Sequence, residues 1–129
     1  MITEDYVSFE TAKLLKEKGF ASEVLEDGTY ADECSKSYDI YTGNFLHHCA
    51  KHGGQVNAPS LQVALKWLRV VHGIHLGILV TYQHLPRKYE VHIMHIMKMN
   101  DTVLCPNEDF NTYEEACEAG IKYYLENMI

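Results

Sequence analysis

The chain has 129 residues and a mass of 14.8 kDa, with 47% hydrophobic and 22% charged side chains and a formal net charge of −7. This composition is typical of a folded globular protein and excludes the disordered, fibrous and membrane-embedded classes. The length favours a single domain over residues 1–129, because single domains commonly have about 100–150 residues and can fold without metals or disulfides.

The net charge is distributed unevenly along the chain. Residues 1–35 carry a net charge of −6, residues 36–100 carry +5, and residues 101–129 carry −6. All eight histidines lie in the central segment, between His47 and His95. Two interpretations stay open: the acidic ends fold against the basic centre and neutralise it, or the centre presents a basic face to an anionic partner.

The beginning of the chain favours a cytoplasmic location. Residues 1–5 (MITED) are acidic where a secretory signal peptide is basic, and no long apolar run follows them. The longest nearly apolar run, residues 74–82, is far too short to span a bilayer. In a reducing compartment we expect the cysteines to be free thiols. They are Cys34, Cys49, Cys105 and Cys117.

The first predicted element is a helix with a signal at each end. Ser8 is a suitable N-cap, and Val7 and Ala12 are spaced as a hydrophobic staple. Gly19 followed by Phe20 predicts a Schellman motif at the C-terminus.

The next part of the chain has weaker signals. An Asp-Gly pair predicts a hairpin of two short strands within residues 23–31, and alternation over residues 38–42 indicates a weak strand. Residues 44–54 are compatible with a short helix or with a loop. Pro59 and Ser60 then predict the start of a second helix. Its apolar positions are Leu61, Val63, Ala64, Leu65, Trp67, Leu68, Val71 and His72.

The clearest β-signal follows this helix. Apolar residues alternate along residues 74–82 and 89–97, so each stretch has one apolar face. Pairing of Tyr82 with Tyr89 brings both apolar sets onto the same face of a hairpin.

A third strand is predicted after a tight turn at residues 100 and 101. This turn pairs Leu104 with Met97 and leaves both on the apolar face. The three strands then form an antiparallel meander with one buried face.

The last predicted element is an amphipathic helix. Thr112 and Glu115 form a capping box, and the apolar positions that follow have a helical period. Gly120 lies in the apolar stripe and predicts a close approach to a neighbouring element. The fold class is therefore α+β, with three main helices packed on an antiparallel sheet, a C-terminal three-stranded meander and a final amphipathic helix.

The strongest candidate for a metal site is the run HHCAKH at residues 47–52. His48, Cys49 and His52 have a spacing that allows zinc ligands on adjacent helical turns. A structural zinc site needs four ligands, and no second Cys/His pair has conventional spacing. Three ligands and a water would make a catalytic site, for which no general base is identifiable. A histidine-rich polar turn is the alternative, so no cofactor is expected and zinc is the secondary hypothesis.

The other histidines have structural interpretations. The predicted register places His75 and His92 four residues apart along the sheet, about 13 Å, which is too far to share a metal. His95 is expected to be half-buried at the end of the apolar face. His72 is expected at a helix C-terminus, where the helix dipole favours its charged form.

No catalytic arrangement is recognisable. The chain contains no GxSxG, GxGxxG or P-loop motif. Cys49 and His48 are only sequence neighbours, whereas Cys-His catalysis needs spatial adjacency, and Cys117 falls on the core stripe of the last helix. The sequence therefore predicts a protein that is not an enzyme.

One local cluster combines basic and aromatic side chains. Arg87 and Lys88, flanked by His84 and Tyr89, lie in the loop of the predicted hairpin and are the candidate site for an anionic partner. Two adjacent cations give a small electrostatic footprint, whereas non-specific nucleic-acid binders engage several phosphates. A nucleic-acid partner is therefore disfavoured.

Three stretches carry a resemblance that extends along the chain. They are residues 7–20 (VSFETAKLLKEKGF), the run from Ala58-Pro59-Ser60 to residues 66–69 (KWLR), and residues 113–126 (YEEACEAGIKYYLE). In these stretches the chain resembles small uncharacterised proteins of Bacteroides-like gut bacteria and their phages. The resemblance implies a small cytoplasmic α+β protein of prophage or mobile-element origin, without an established activity. Residues 44–56 look like an expansion of that pattern, which argues against a family-wide site at residues 47–52.

The sequence as a whole predicts a non-enzymatic module that binds another macromolecule, in the first place a protein, without membrane contact. It does not define the oligomeric state. Two other classes stay open. One is a zinc-dependent protein that uses His48, Cys49 and His52, and the other is an acidic phage effector that imitates nucleic-acid charge or binds nucleic acid weakly.

Overall fold

The computed structural model describes residues 5–20, 36–40, 42–46, 55–82, 85–98 and 103–129. These residues form both helices and antiparallel strands, so the predicted α+β class is confirmed. The chain divides into two compact units, Met1–Trp67 and Leu68–Ile129. That both units belong to one domain over residues 1–129 stays a prediction.

The first helix of the N-terminal unit, α1, covers Phe9–Glu17 and begins as the sequence predicts. The Ser8 hydroxyl accepts a hydrogen bond from the Thr11 N–H at 3.2 Å, which satisfies one of the donors that a helix start leaves without a partner. Val7 and Ala12, the two members of the predicted staple, are both fully buried. The N-cap is confirmed.

The C-terminus of α1 is a complete Schellman motif. The Phe20 N–H donates to the Leu15 carbonyl at 2.8 Å, and the Gly19 N–H donates to the Lys16 carbonyl at 3.3 Å. The turn requires a left-handed backbone at Gly19, whose φ is +97°. Phe20 and Leu15 are both buried. This prediction is also confirmed.

The N-terminal unit contains a small antiparallel sheet with the strand order β2-β1-β3. Its strands are β1 (Lys36–Asp39), β2 (Phe45–Leu46) and β3 (Gln55–Ala58). Strand β1 overlaps the weak strand predicted over residues 38–42. Strand β2 lies in the segment predicted as a short helix or a loop, and β3 was not predicted. The hairpin predicted within residues 23–31 lies outside the described residues.

Helix α1 is joined to this sheet around Tyr38. The Tyr38 hydroxyl donates to the Val7 carbonyl at 2.9 Å, and its ring lies 5.6 Å from the Phe9 ring, centroid to centroid. The backbone of Gly43 passes so close to Phe9 that an added Cβ would lie 3.3 Å from the Phe9 ring. The N-terminal unit therefore has its own aromatic contact between helix and sheet.

The second helix, α2, covers Leu61–Trp67 and starts at Ser60, whose hydroxyl accepts a hydrogen bond from the Val63 N–H at 3.2 Å. The next element in the chain is a π-helical segment, Leu68–His72, at the start of the C-terminal unit. The prediction that Val71 extends the apolar arc is wrong, since 54% of Val71 is exposed. A π-helix has more residues per turn than an α-helix, so positions beyond Leu68 rotate away from the face that α-helical spacing assigns to them.

The C-terminal unit contains an antiparallel meander with the strand order β4-β5-β6, as predicted. Its strands are β4 (Ile74–Val80), β5 (Tyr89–His95) and β6 (Val103–Phe110). Tyr89 pairs with Val80 and not with Tyr82, so the predicted register is wrong by two residues. The physical reason is local: the Thr81 N–H donates to the Lys88 carbonyl at 2.8 Å, and the Lys88 N–H donates to the Thr81 hydroxyl at 3.1 Å. Because an even offset retains the face of each residue, the apolar face is as predicted.

The predicted register of β6 is also wrong. Leu104 pairs with His92 and not with Met97. A two-residue turn would have brought Leu104 beside Met97, but seven residues separate His95, the end of β5, from Val103, the start of β6. The proposed turn residues 100 and 101 lie outside the described part of the chain.

The last helix, α3, covers Tyr113–Asn127 and contacts all three strands of the meander. The Thr112 hydroxyl accepts a hydrogen bond from the Glu115 N–H at 3.1 Å, which confirms the N-cap. At Gly120 an added Cβ would lie 2.8 Å from Cγ1 of Val91, so the predicted close approach is confirmed. The buried face of α3 consists of Ala116, Cys117, Gly120, Ile121, Tyr124 and Leu125.

Candidate binding surface at the hairpin tip

The loop that joins β4 to β5 presents large side chains to solvent. Tyr82 is 84% exposed and Leu85 is 85% exposed. Arg87 and Lys88, predicted as a candidate site for an anionic partner, follow in the same loop and are also exposed. We call these four residues, Tyr82, Leu85, Arg87 and Lys88, the hairpin tip.

The side chains of the hairpin tip are organised by one contact. The guanidinium carbon of Arg87 lies 5.4 Å from the centroid of the Tyr82 ring, which is the distance of a cation–π interaction. At an exposed position such a contact stabilises the arrangement by about 0.5–1 kcal/mol. Two hydrogen bonds between Thr81 and Lys88, one between backbone groups and one to the Thr81 hydroxyl, close the loop below it. The hairpin tip therefore presents an aromatic ring and a guanidinium group as one unit.

A shallow cavity of about 210 Å³ lies at the base of the hairpin tip. It is lined by Val80, Thr81, Tyr82, Glu90 and Asp109. One of its carboxylates has a partner, because Oε1 of Glu90 lies 3.1 Å from Nε2 of His92. The surface thus changes from apolar and cationic at the tip to anionic at the base.

Two of the four tip residues were missed by the sequence analysis. Tyr82 was assigned to the buried face of a strand, and Leu85 was not identified as a site residue. Alternation predicts on which face of the strand a residue lies, but it does not show how far along the strand the covering helix reaches. The signal for an exposed loop was Pro86, next to Leu85. The carboxylates of Glu90 and Asp109 were also missed, because they become neighbours only through strand pairing.

The residues proposed as zinc ligands, His48, Cys49 and His52, lie outside the described residues, so zinc binding there stays a prediction. Within the part of the chain that the structure describes, no group of three His, Cys, Asp or Glu side chains is arranged to hold a metal ion.

The separation predicted for His75 and His92 needs correction. His92 pairs with Gly77, two residues from His75, so the offset along the sheet is about 7 Å and not about 13 Å. The prediction that His95 is half-buried at the end of the apolar face is confirmed, and its strand partner is Ile74.

His72 was expected to be favoured in its charged form, and this prediction is wrong. Burial lowers the pKa of His72, which favours the neutral imidazole. Its ring packs against the ring of Tyr124 with 5.9 Å between the centroids. Burial is thus the effect that sets the direction of the pKa shift at this position.

Cys117 is a free thiol and is fully buried on α3, as predicted. Burial, reinforced by the carboxylates of Glu114 and Glu118, raises the pKa of this thiol. A raised pKa keeps the thiol protonated and unreactive near neutral pH.

None of the helices in the described ranges combines the length and the apolar character needed to cross a bilayer. Comparisons of the chain with models of protein families, with curated proteins and with solved structures find no match. The resemblance to proteins of gut bacteria and their phages therefore stays a prediction.

Proposed function

We propose that this chain is a protein-binding module and that the hairpin tip is its contact surface. The observation that carries the proposal is the exposure of Tyr82 and Leu85, each above 80%, beside the Arg87 guanidinium. Tyrosine and arginine are enriched among the residues that dominate binding energy at protein interfaces. Burial of a large apolar side chain contributes about 1.5–3 kcal/mol, so two such side chains provide an anchor.

The chemistry of the hairpin tip favours a protein surface with apolar and carboxylate groups. Leu85 needs an apolar contact, which a phosphate backbone does not supply. Arg87 and Lys88 can pair with carboxylates at the edge of such a contact. The carboxylates of Glu90 and Asp109 at the base of the tip oppose a phosphate backbone that follows the surface.

The wider setting is part of the same proposal. The module is cytoplasmic and not an enzyme, it acts as one domain over residues 1–129, and its three helices pack on antiparallel sheet. Its origin is a prophage or mobile element, as the resemblance implies. The exposed tip supports the binding role, and the absence of recognisable catalytic motifs in the sequence supports a role other than catalysis.

A photo-crosslinking experiment tests the proposal. A photoreactive phenylalanine is placed at position 85 and, as a matched control, at position 126. Glu126 is exposed on α3, about 20 Å along the helix axis from Tyr113, whose ring contacts Tyr89 at the first residue of β5. In an extract of the native host we expect a discrete protein adduct from position 85 that position 126 does not give.

Variants of the neighbouring tip residues then define the chemistry. Tyr82→Ala should reduce the yield of the adduct about tenfold or more, since a hot-spot residue contributes about 2 kcal/mol. Arg87→Ala combined with Lys88→Ala should reduce it most at low salt, because salt screens exposed charges. Identical adducts from positions 85 and 126, or an adduct that nuclease removes, would contradict the proposal.

A further inference from the structure

The two edges of the meander are built differently. Among the described residues β4 pairs with β5 alone, and its seven residues, IHLGILV, contain no proline and no Asp, Glu, Lys or Arg. The opposite edge strand, β6, contains Pro106, Glu108 and Asp109, and its pairing with β5 shifts register between Tyr89 and Val91. Proline, charge and bulges are the devices by which edge strands avoid pairing with other chains. Strand β6 has these devices and β4 lacks them.

The hydrogen bonds at the ends of β4 define which backbone groups point outward. Gly73 and Thr81 both form hydrogen bonds on the side of β5. The Ile96 N–H donates to the Gly73 carbonyl at 2.9 Å, and the Thr81 N–H donates to the Lys88 carbonyl. In an antiparallel pair, bonding toward one neighbour alternates along the strand. The residues whose N–H and C=O groups point to the outer edge are therefore Ile74, Leu76, Ile78 and Val80.

We propose that β4 pairs antiparallel with β4 of a second copy of this chain, about a two-fold axis at Gly77. This register places Leu76 opposite Ile78 of the partner subunit and Ile74 opposite Val80 of the partner subunit. All four residues have outward backbone groups, so the register forms about eight backbone hydrogen bonds. They also share the face that α3 covers, so the apolar face continues from one copy into the other.

Three features of β4 make a second copy the fitting occupant. The strand carries no formal charge, so two copies meet without like-charge repulsion. On the face that α3 covers, its apolar residues are arranged symmetrically about Gly77, where the two strands meet without a side chain, and on the other face His75 lies opposite Leu79 of the partner subunit. The pairing also covers side chains that a single copy leaves exposed, since Val80 is 41% exposed and Leu79 is 49% exposed. The hairpin tip lies beyond the paired residues, so this inference is independent of the proposed function.

Sedimentation velocity over a wide concentration range tests the inference with two variants of Val80. Val80→Pro removes an outward N–H, so it blocks pairing with a second copy and leaves the bonds to β5 in place. Val80→Thr keeps the N–H and is the matched control. We expect dimers for the unchanged chain and for Val80→Thr, and monomers for Val80→Pro with an unchanged far-UV circular dichroism spectrum. A monomeric unchanged chain, or a Val80→Pro variant that dimerises equally well, overturns the proposal.

Disulfide trapping at the two-fold axis gives a second measurement that does not depend on the proline variant. Opposed residues without mutual hydrogen bonds have Cα atoms about 4.5 Å apart, within the range for a disulfide. In Gly77→Cys the new Cβ would lie 3.1 Å from Cε of Met94, the mobile end of a flexible side chain. We expect Gly77→Cys to form a covalent dimer under mild oxidation much faster than Glu126→Cys or the unchanged chain. Equal rates overturn the proposed register.

Discussion

The two ends of the β4–β5 hairpin differ in what covers them. At one end Leu76, Val91 and Ile93 are buried, and Gly120 brings α3 against Leu76 and Val91. At the other end the same alternating pattern runs on to Tyr82, which is almost fully exposed. The comparison teaches that alternation selects a face, whereas the length of the covering helix decides how much of that face becomes core. We therefore expect the covered end to determine stability and the hairpin tip to determine binding.

The largest expected effect is the difference in stability between alanine variants at the two ends of the hairpin. Ile93→Ala should lower the free energy of unfolding by about 2–5 kcal/mol, because it leaves a cavity in a fully buried position. Leu85→Ala removes an equally large side chain from an exposed position and should change stability by less than about 0.5 kcal/mol. Urea unfolding followed by circular dichroism measures both values. Similar losses in the two variants would remove the distinction between the ends.

A smaller loss of stability is expected when a side chain is added at Gly120, where α3 contacts the sheet. Gly120→Val should destabilise the protein by about 1–3 kcal/mol, since even its Cβ meets Val91 at 2.8 Å and the two methyl groups add to the overlap. Gly120→Ala is the control: it adds the Cβ alone, and its better helix propensity offsets part of the loss, by about 1 kcal/mol. In thermal unfolding, the unchanged chain should have the highest melting temperature, Gly120→Ala a lower one and Gly120→Val the lowest. A valine variant as stable as the unchanged chain would show that α3 is free to move away.

The smallest expected effect is a pH dependence at the covered end. In the folded protein, burial lowers the pKa of His72 below its ordinary value of 6.5. As the pH falls, the unfolded chain therefore binds more protons than the folded protein does. The stability associated with His72 is therefore fully present above its ordinary pKa of 6.5 and is lost as the pH falls through the folded pKa. Between about pH 7.5 and pH 5.5 the melting temperature of His72→Gln should fall less than that of the unchanged chain. His75→Gln, at an exposed position, is the control, and equal slopes for all three proteins would contradict this assignment.

Much of the fold was predictable where the determining interactions are local. The caps at Ser8 and Thr112 and the Schellman motif at Gly19 depend on residues within about one helical turn, and all three are confirmed. The close approach at Gly120 was predictable because a glycine in an apolar helical stripe contributes no side chain to the core. Arg87 and Lys88 could be grouped from the sequence because neighbours in sequence stay neighbours in a loop, and their binding role stays a prediction.

What was missed depends on interactions that neither strand alternation nor α-helical spacing describes. The register of β5 follows from two hydrogen bonds between Thr81 and Lys88. One of them uses the Thr81 side-chain hydroxyl, which an alternating pattern does not consider. The neighbours Glu90 and Asp109 become visible only after β6 is aligned. The exposure of Val71 follows from a π-helical segment, which α-helical spacing cannot represent.

The close contact at Gly120 also restricts how α3 can move. Packed helices in many proteins switch between states by small sliding displacements. If α3 slid by one turn, Ala116 or Tyr124 would replace Gly120 opposite Val91, where even a Cβ finds no room. The glycine therefore acts as a notch that permits one axial position of α3. A partner of the meander would therefore meet α3 in a single position, without first selecting among positions of the helix.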